Sequence, residues 1–340
     1  MSEMHGTITH GAGAHGTPPP HPGQRRSALP LTPARRVALL IGVPVCLALT
    51  GYAGLSIVAP FGKGHFRFSH TFAPGARRLS VTGSGGNIVL EQEAAGPARL
   101  SGSGYYSLIR PTFTDHASAD SATFWYPCHI PIGDCGLTAT LSVPVRTAVT
   151  ISSGGGDVTA DHMTGDLTLD TGGGNIQATA TTGDVTATTG GGDVTADHAT
   201  GNLTLNTGGG NIQATATTGD VTMTSGGGDL TASQIAGGQL TLDTDGGNVQ
   251  ATGVAAPRVA AKSGGGDIEI IFTVVPRDVT VSTAGGNVTI VVPRGPARYR
   301  VSATTAGGNV TDSTIPLGSS SPNSITATSG GGDITIRLAG

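Results

Sequence analysis

Between Thr147 and Pro257 of this 340-residue chain the only charged side chains are aspartates. Eleven Asp fall there, with no Lys, Arg or Glu, so the stretch carries −11. The rest of the chain sets 18 basic residues against the other 11 acids, or +7, and the two sum to the net −4. Regularly spaced carboxylates can ligate a hard cation, serve as acid and base on a glycosidic bond, or sit solvated at turns. Each reading makes a demand on spacing. The calcium-binding β-roll sets its Asp two residues beyond a Gly, as G-G-x-G-x-D. Here Asp157 follows Gly156 directly, and alternate turns carry Asn. Glycosidic chemistry needs two carboxylates at a set separation, one with a raised pKa. Asp161, Asp197, Asp170 and Asp243 are expected to face outward, but the lyases of such folds also want a basic residue, which this stretch lacks. His162 and His198 occupy equivalent repeat positions with no nucleophile motif nearby, so they read as exposed turn residues.

Cys128 and Cys135 lie in the irregular run Tyr126-Pro-Cys-His-Ile-Pro-Ile-Gly-Asp-Cys135. In an exported chain a short-loop disulfide is the expectation. A zinc site with His129 is the rival, although such sites usually pair their Cys more closely and add a fourth ligand. No catalytic residue, metal or cofactor is expected. Nucleic-acid binding by the acidic stretch is disfavoured, since nothing there neutralises phosphate.

The elements that position these residues follow from a repeat. Gly is 56 of 340 residues and aromatics only 4%, so a conventional bulky core is excluded and regular stacking of small residues is required. Gly-rich turns end at Asp157, Asn175, Asp193, Asn211 and Asp229, always 18 apart, then loosen through Asn248, Asp267, Asn287, Asn309 and Asp333. A second set, such as Gly165-Asp166 and Gly183-Asp184, falls halfway between. A unit of nine residues fits one short strand and one tight turn. Gly supplies the positive φ of such turns, and Asp or Asn tolerates it next best. Apolar residues alternate from the first residue after each turn, as in Leu167 and Leu169 or Ile176 and Ala178. The outer face carries a Thr ladder at 168, 186, 204, 222 and 241. Residues 157–192 and 193–228 differ at only five positions, an internal duplication of two coils.

The predicted fold is therefore all-β, a parallel β-solenoid (single-stranded β-helix) of about 18 residues and two strands per coil. Strict Asp/Asn alternation from Asp157 to Asn248 and Asp267 keeps carboxylates from stacking at ~5 Å, and interposed Asn can hydrogen-bond the carboxylates on either side.

The domain boundaries expected are a disordered cytoplasmic tail over 1–36, a transmembrane helix over 37–60, a juxtamembrane linker over 61–78, N-terminal strands and an aromatic cap over 79–150, and the solenoid over 151–340. Val37 to Pro60 holds 24 residues without a charge, enough to span a bilayer, and Arg25, Arg26, Arg35 and Arg36 precede it. This places the N-terminus in the cytoplasm and the C-terminal domain outside. A signal peptide cleaved after Ala53 and a lipoprotein anchored through Cys46 are the rival readings, and both also export the remainder.

Val81-Thr-Gly-Ser-Gly-Gly-Asn-Ile, the Tyr126–Cys128–Cys135 region, Val143-Pro144 and the Gly-Gly-Asp-Val turns resemble a bacterial adhesin-type family of unknown function that is common in actinobacteria. The likeness runs over roughly 76–340. It implies a cell-surface β-solenoid and, by name, adhesion, and it brings no catalytic residues. The function expected is a membrane-anchored interaction or structural module with an extracellular or cell-wall partner. The alternatives are a calcium β-roll, a polysaccharide-active enzyme, and ice binding through the Thr ladder.

Overall fold

The computed structural model describes residues 41–45, 47, 49–50, 63–107, 110–117, 121–126, 135–312 and 314–340. The tail over 1–36, most of the expected membrane segment 37–60, and Cys128 with its pairing to Cys135 lie outside them. The chain divides into two units, Met1–Ala53 and Gly54–Gly340. In the first, residues 41–45, 47 and 49–50 are helical. No helix among the described residues is long and apolar enough to cross a membrane.

The second unit is two long sheets of 14 and 13 strands, parallel except at one end. Strands of the two sheets alternate along the chain, so each coil contributes one rung to each. Val158–Asp161, Ile176–Thr179, Val194–Asp197 and Ile212–Thr217 stack in the first sheet. Leu167–Thr171, Val185–Thr189, Leu203–Thr207 and Val221–Ser225 stack in the second. Residue i pairs with i+18 throughout this region, so inward apolar residues stack on inward apolar residues, as Leu167 on Val185 and Ile176 on Val194. The inward residues are Val, Leu, Ile, Ala and Met, nearly all fully buried. The duplicated coils differ inside by a compensating exchange, Met163 for Ala199 and Ala187 for Met223, all buried, which places bulk at alternate sites.

A third buried row, not evident from the alternation, runs Met163, Thr181, Ala199, Thr217, Ile235 and Val254 along the corner after the first sheet. The residue before each of the first five, from His162 to Gln234, adopts φ between 51° and 56°, and Gly253 precedes the sixth at φ 67°. Five non-glycine residues thus hold a left-handed conformation that turns the next side chain inward. The stacked Thr164, Thr182, Thr200 and Thr218 bridges over-determine them.

The order of rungs departs from the order of the chain at both ends. Cys135–Pro144 lies outside Asn87–Glu93, which pairs in turn with Val158–Asp161. Residues 79–150 are thus partly coil: Arg78–Gly83 and Asn87–Glu93 sit within the stack. At the other end the last strands, Ser324–Ser329 and Ile334–Leu338, insert between the rungs of 278–292 and 300–311. This explains the loosened spacing after Asp267. The expected linker over 61–78 is replaced by a strand: Lys63–Thr71 pairs antiparallel with Arg99–Ser107, which pairs antiparallel with Cys135–Pro144. Those antiparallel strands and the rings of Phe66, Phe68, Phe72, Phe113 and Phe124 close the N-terminal end; Phe68 stacks on Phe113 at 4.7 Å. An end capped this way exposes no parallel edge.

The triple-Gly corners need glycine for a reason other than turn geometry. Positive φ occurs at the single-Gly corners, from Gly165 (117°) to Gly219 (136°), and at Gly156 (106°) in the first triple-Gly corner. Gly174, Gly192, Gly210 and Gly228 are absent from that class. Instead, a Cβ on Gly192 would lie 2.1 Å from the Gly174 carbonyl oxygen of the rung below, while one on Gly191 would meet nothing within 4 Å. The first and third glycines are required by close backbone approach, and the middle one is not. Gly192→Ala should therefore destabilise the protein by about 1–3 kcal/mol or more, whereas Gly191→Ala should be close to neutral. Thermal melts of the two variants side by side check this, and equal melting temperatures would refute the packing argument.

Candidate functional site

The residues singled out by sequence, Asp157, Asn175, Asp193, Asn211, Asp229, Asn248 and Asp267, stand in one column at the triple-Gly corner. Each Oδ1 accepts the backbone N–H of the next member. The column is longer than its sequence signal: Asn87, Asp157, Asn175, Asp193, Asn211, Asp229, Asn248, Asp267, Asn287, Asp333 and Asn309 form ten successive bonds of 2.7–3.0 Å. The chain runs Asn287, Asn309, Asp333, which breaks alternation. In space Asp333 lies between the two Asn, and alternation is complete. The inserted last rung thus preserves the charge pattern, with carboxylates about 9.6 Å apart rather than ~4.8 Å.

The sequence argument had the Asn amide bonding the carboxylates above and below. The geometry differs. The bond runs from the backbone to the side-chain oxygen, and the amide Nδ2 reaches a carboxylate at Asn287 (3.2 Å) and Asn309 (3.5 Å). Asp and Asn serve equally because each offers an Oδ1, and a carboxylate oxygen accepts the more strongly. Tolerance of positive φ has no part in it, since none of these residues adopts one.

Just inside runs a second column the sequence reading passed over: the Ser or Thr that precedes each triple Gly. Thr189 Oγ1 donates to the Gly174 carbonyl at 2.7 Å and accepts from Gly192 N–H at 3.2 Å. Thr171, Thr207, Ser225 and Ser263 repeat the pattern. These buried hydroxyls satisfy glycine carbonyls and amides at the corner that would otherwise be unpaired. The signal was present as an invariant Ser/Thr at the last strand position, but outward Thr drew attention instead.

At the single-Gly corner Asp166, Asp184 and Asn202 accept from Asp184, Asn202 and Asp220 amides at 3.2, 2.9 and 3.1 Å. The longest bond is the one that sets two carboxylates side by side. The outward Asp161 and Asp197 contact the adjacent His162 and His198 at 2.8 and 3.0 Å, as exposed neighbours within one turn. On the second sheet Thr150, Thr168, Thr186, Thr204, Thr222 and Thr241 form an unbroken outer column. Asp170 and Asp243 fall in the neighbouring column, where Lys262 reaches Asp243 at 3.4 Å. On the first sheet outward Thr159, Gln177, Thr195, Gln213, Thr231 and Gln250 alternate Thr with Gln. Among the described residues no three His, Cys, Asp or Glu are grouped to hold a metal. At the cap, the Tyr126 ring lies over Gly83, where a Cβ would meet Cζ at 1.9 Å. Burial pushes its phenol up to about 12, partly offset by Ser153.

Two flat parallel sheets, Asx-bonded glycine corners and an aromatic end cap define a β-solenoid of stacked short coils. The chain belongs to the Toastrack DUF4097 family, which it matches over residues 79–339. No curated protein matches it. Among solved structures it is similar to a candidate cell adhesion protein from Clostridium sporogenes, at 10% identity, covering 81% of this chain and 100% of that one, with TM-score 0.20. It is likewise similar to candidate adhesins from Bacteroides fragilis (16% identity, 81% and 97% covered, TM-score 0.31) and Parabacteroides distasonis (10%, 80% and 97%, TM-score 0.32). TM-scores this low transfer no geometry.

Two outcomes follow. Asn211→Asp places three carboxylates in consecutive rungs and should cost roughly 1 kcal/mol or more in low salt. A new acid repelled in the folded state loses stability as pH rises through the ordinary carboxylate range, so the deficit should vanish at acidic pH and shrink in high salt. Melting curves across pH and salt check it; a deficit unchanged by both would refute the charge argument. For Tyr126 the folded phenol holds its proton to higher pH than the unfolded one. Stability should therefore fall as pH rises from about 10 towards 12, and Tyr126→Phe should reduce that slope in alkaline unfolding.

Proposed function

We propose that the protein is a membrane-anchored, cell-surface β-solenoid acting as an adhesin-like interaction or structural module, without catalysis. One observation carries this reading: the carboxylates of the triple-Gly column, Asp157, Asp193, Asp229 and Asp267, each accept a backbone amide from the next rung. Side chains occupied in this way are architectural, and they leave two long, flat polar faces for contact with a partner. The apolar run Val37 to Pro60 with the four preceding arginines supports an anchor with the N-terminus in the cytoplasm and the solenoid outside. The adhesin names of the structural neighbours accord with display at the surface. The partner is extracellular or in the cell wall.

Epitope tags at the two termini test the topology. An antibody should label the C-terminal tag on intact cells and the N-terminal tag only after permeabilisation; the reverse pattern, or labelling of neither without permeabilisation, contradicts the proposal. The calcium alternative is separated by melting the protein with calcium and with EDTA. The architectural reading expects coincident curves, and a shift of several degrees would favour a β-roll.

A further inference from the structure

The outer face of the first sheet is broken at its N-terminal end by an open cleft of about 950 Å³. The absence of side chains creates it: Gly85, Gly86, Gly155 and Gly156 border it at the first triple-Gly corner, and Gly104 and Gly136 lie on the antiparallel strands. Across those strands His65, Tyr105 and Gly136 are in register, and two residues along are Arg67, Ser103 and Thr138, on the same face. The Tyr105 ring lies against Gly136, where a Cβ would be 2.4 Å from Cε1, and it remains 36% exposed.

The chemistry of this lining is unlike that of the acidic coils that follow it. Arg67 and His65 face the cleft and, among the described residues, no carboxylate lines it, although the coils beyond hold eleven Asp and no cation between Thr147 and Pro257. Asn87 also lines it; its Oδ1 is held by the Asp157 amide at 3.0 Å, which leaves the Nδ2 donor for a ligand. An arginine recognises a carboxylate in two-point fashion, an exposed tyrosine ring offers an apolar plate with a polar tip, and Ser103, Thr138 and Asn87 match hydroxyls. A carboxylate, an apolar ring face and several hydroxyls occur together on a uronic-acid sugar.

We propose that this cleft binds a uronic-acid residue of a carboxylated polysaccharide, with Arg67 on the carboxylate and Tyr105 beneath the sugar ring. The inference supplies a ligand class for the adhesin-like reading above and rests on that reading. The open shape suits a residue of an extended polymer rather than an enclosed small molecule.

Calorimetric titration of the full chain in detergent micelles tests it, using trigalacturonate, its neutral methyl ester and triglutamate as probes. Trigalacturonate should bind, with the ester and the peptide at least about tenfold weaker. Arg67→Gln and Tyr105→Ala should each weaken binding about tenfold or more, Tyr105→Phe should retain it, and added salt should weaken it. Arg67 is exposed, so Arg67→Gln should leave the melting temperature unchanged and keeps the test valid should Tyr105→Ala unfold. Absence of trigalacturonate binding, equal binding of the ester or triglutamate, or indifference to Arg67→Gln would overturn the proposal. Surface labelling of the C-terminal tag is independent of the titration, so a chain displayed outside that fails to bind uronate sinks this inference alone.

Discussion

The close approach of backbone to backbone at the triple-Gly corner is the constraint on which the rest of the solenoid depends. A third glycine such as Gly174 sits so near the preceding rung that a Cβ would lie 1.9 Å from the Gly156 carbonyl oxygen. With side chains excluded there, the corner loses the usual means of fixing its shape. Two columns of polar side chains take over: Ser or Thr inside, satisfying glycine carbonyls and amides, and Asp or Asn outside, accepting the amide of the next rung. The corner is thus small enough to stack and rigid enough to define register. A thin core of Val, Ile, Leu, Ala and Met then suffices, because no lateral misalignment has to be resisted by bulky packing.

Charge is the second constraint, and it follows from the first. A column in which every rung needs an Oδ1 acceptor, but in which adjacent carboxylates repel, is satisfied by alternating Asp with Asn. The chain maintains that alternation even where its own order would break it, by placing Asp333 between Asn287 and Asn309. The single-Gly corner is laxer. Asp166 and Asp184 sit side by side there, with the longest bond of their column, and its glycines answer to positive φ as well as to close backbone approach.

Much of this was legible in the sequence. The 18-residue spacing and the period-two apolar pattern set the number of strands per coil, their parallel register and the inward faces, because that period sets apolar positions over apolar positions in successive rungs. The role of Asp157 and its partners was legible as charge separation but not as a backbone bond, since composition reveals which groups recur and not which atoms meet. The row Met163, Thr181, Ala199 was hidden because inward direction there comes from left-handed His162 and Ala180, and a left-handed Ala breaks the pattern that a left-handed His alone would suggest. The rung exchanges at both ends were hidden for a topological reason: pairing between Asn87–Glu93 and Val158–Asp161 spans about 70 residues, and nothing local encodes it. The strand Lys63–Thr71 was missed because a short run of His, Phe and Arg beside an apolar segment reads as a linker until its partner, Arg99–Ser107, is seen.

The order of the final rungs is the most direct test of the account, since it joins topology to charge alternation. Outward Thr335 pairs with both Thr289 and Thr311, and lies between them. Double-cysteine variants, on a background with Cys46, Cys128 and Cys135 replaced by Ser, report that order by oxidation. Adjacent rungs bring Cα atoms within disulfide range, and rungs two apart do not. Thr289→Cys with Thr335→Cys should cross-link readily, and Thr289→Cys with Thr311→Cys should not. Cross-linking of the second pair and not the first would place the rungs in chain order, set Asn287 beside Asn309, and contradict the claim that Asx alternation runs unbroken through the stack.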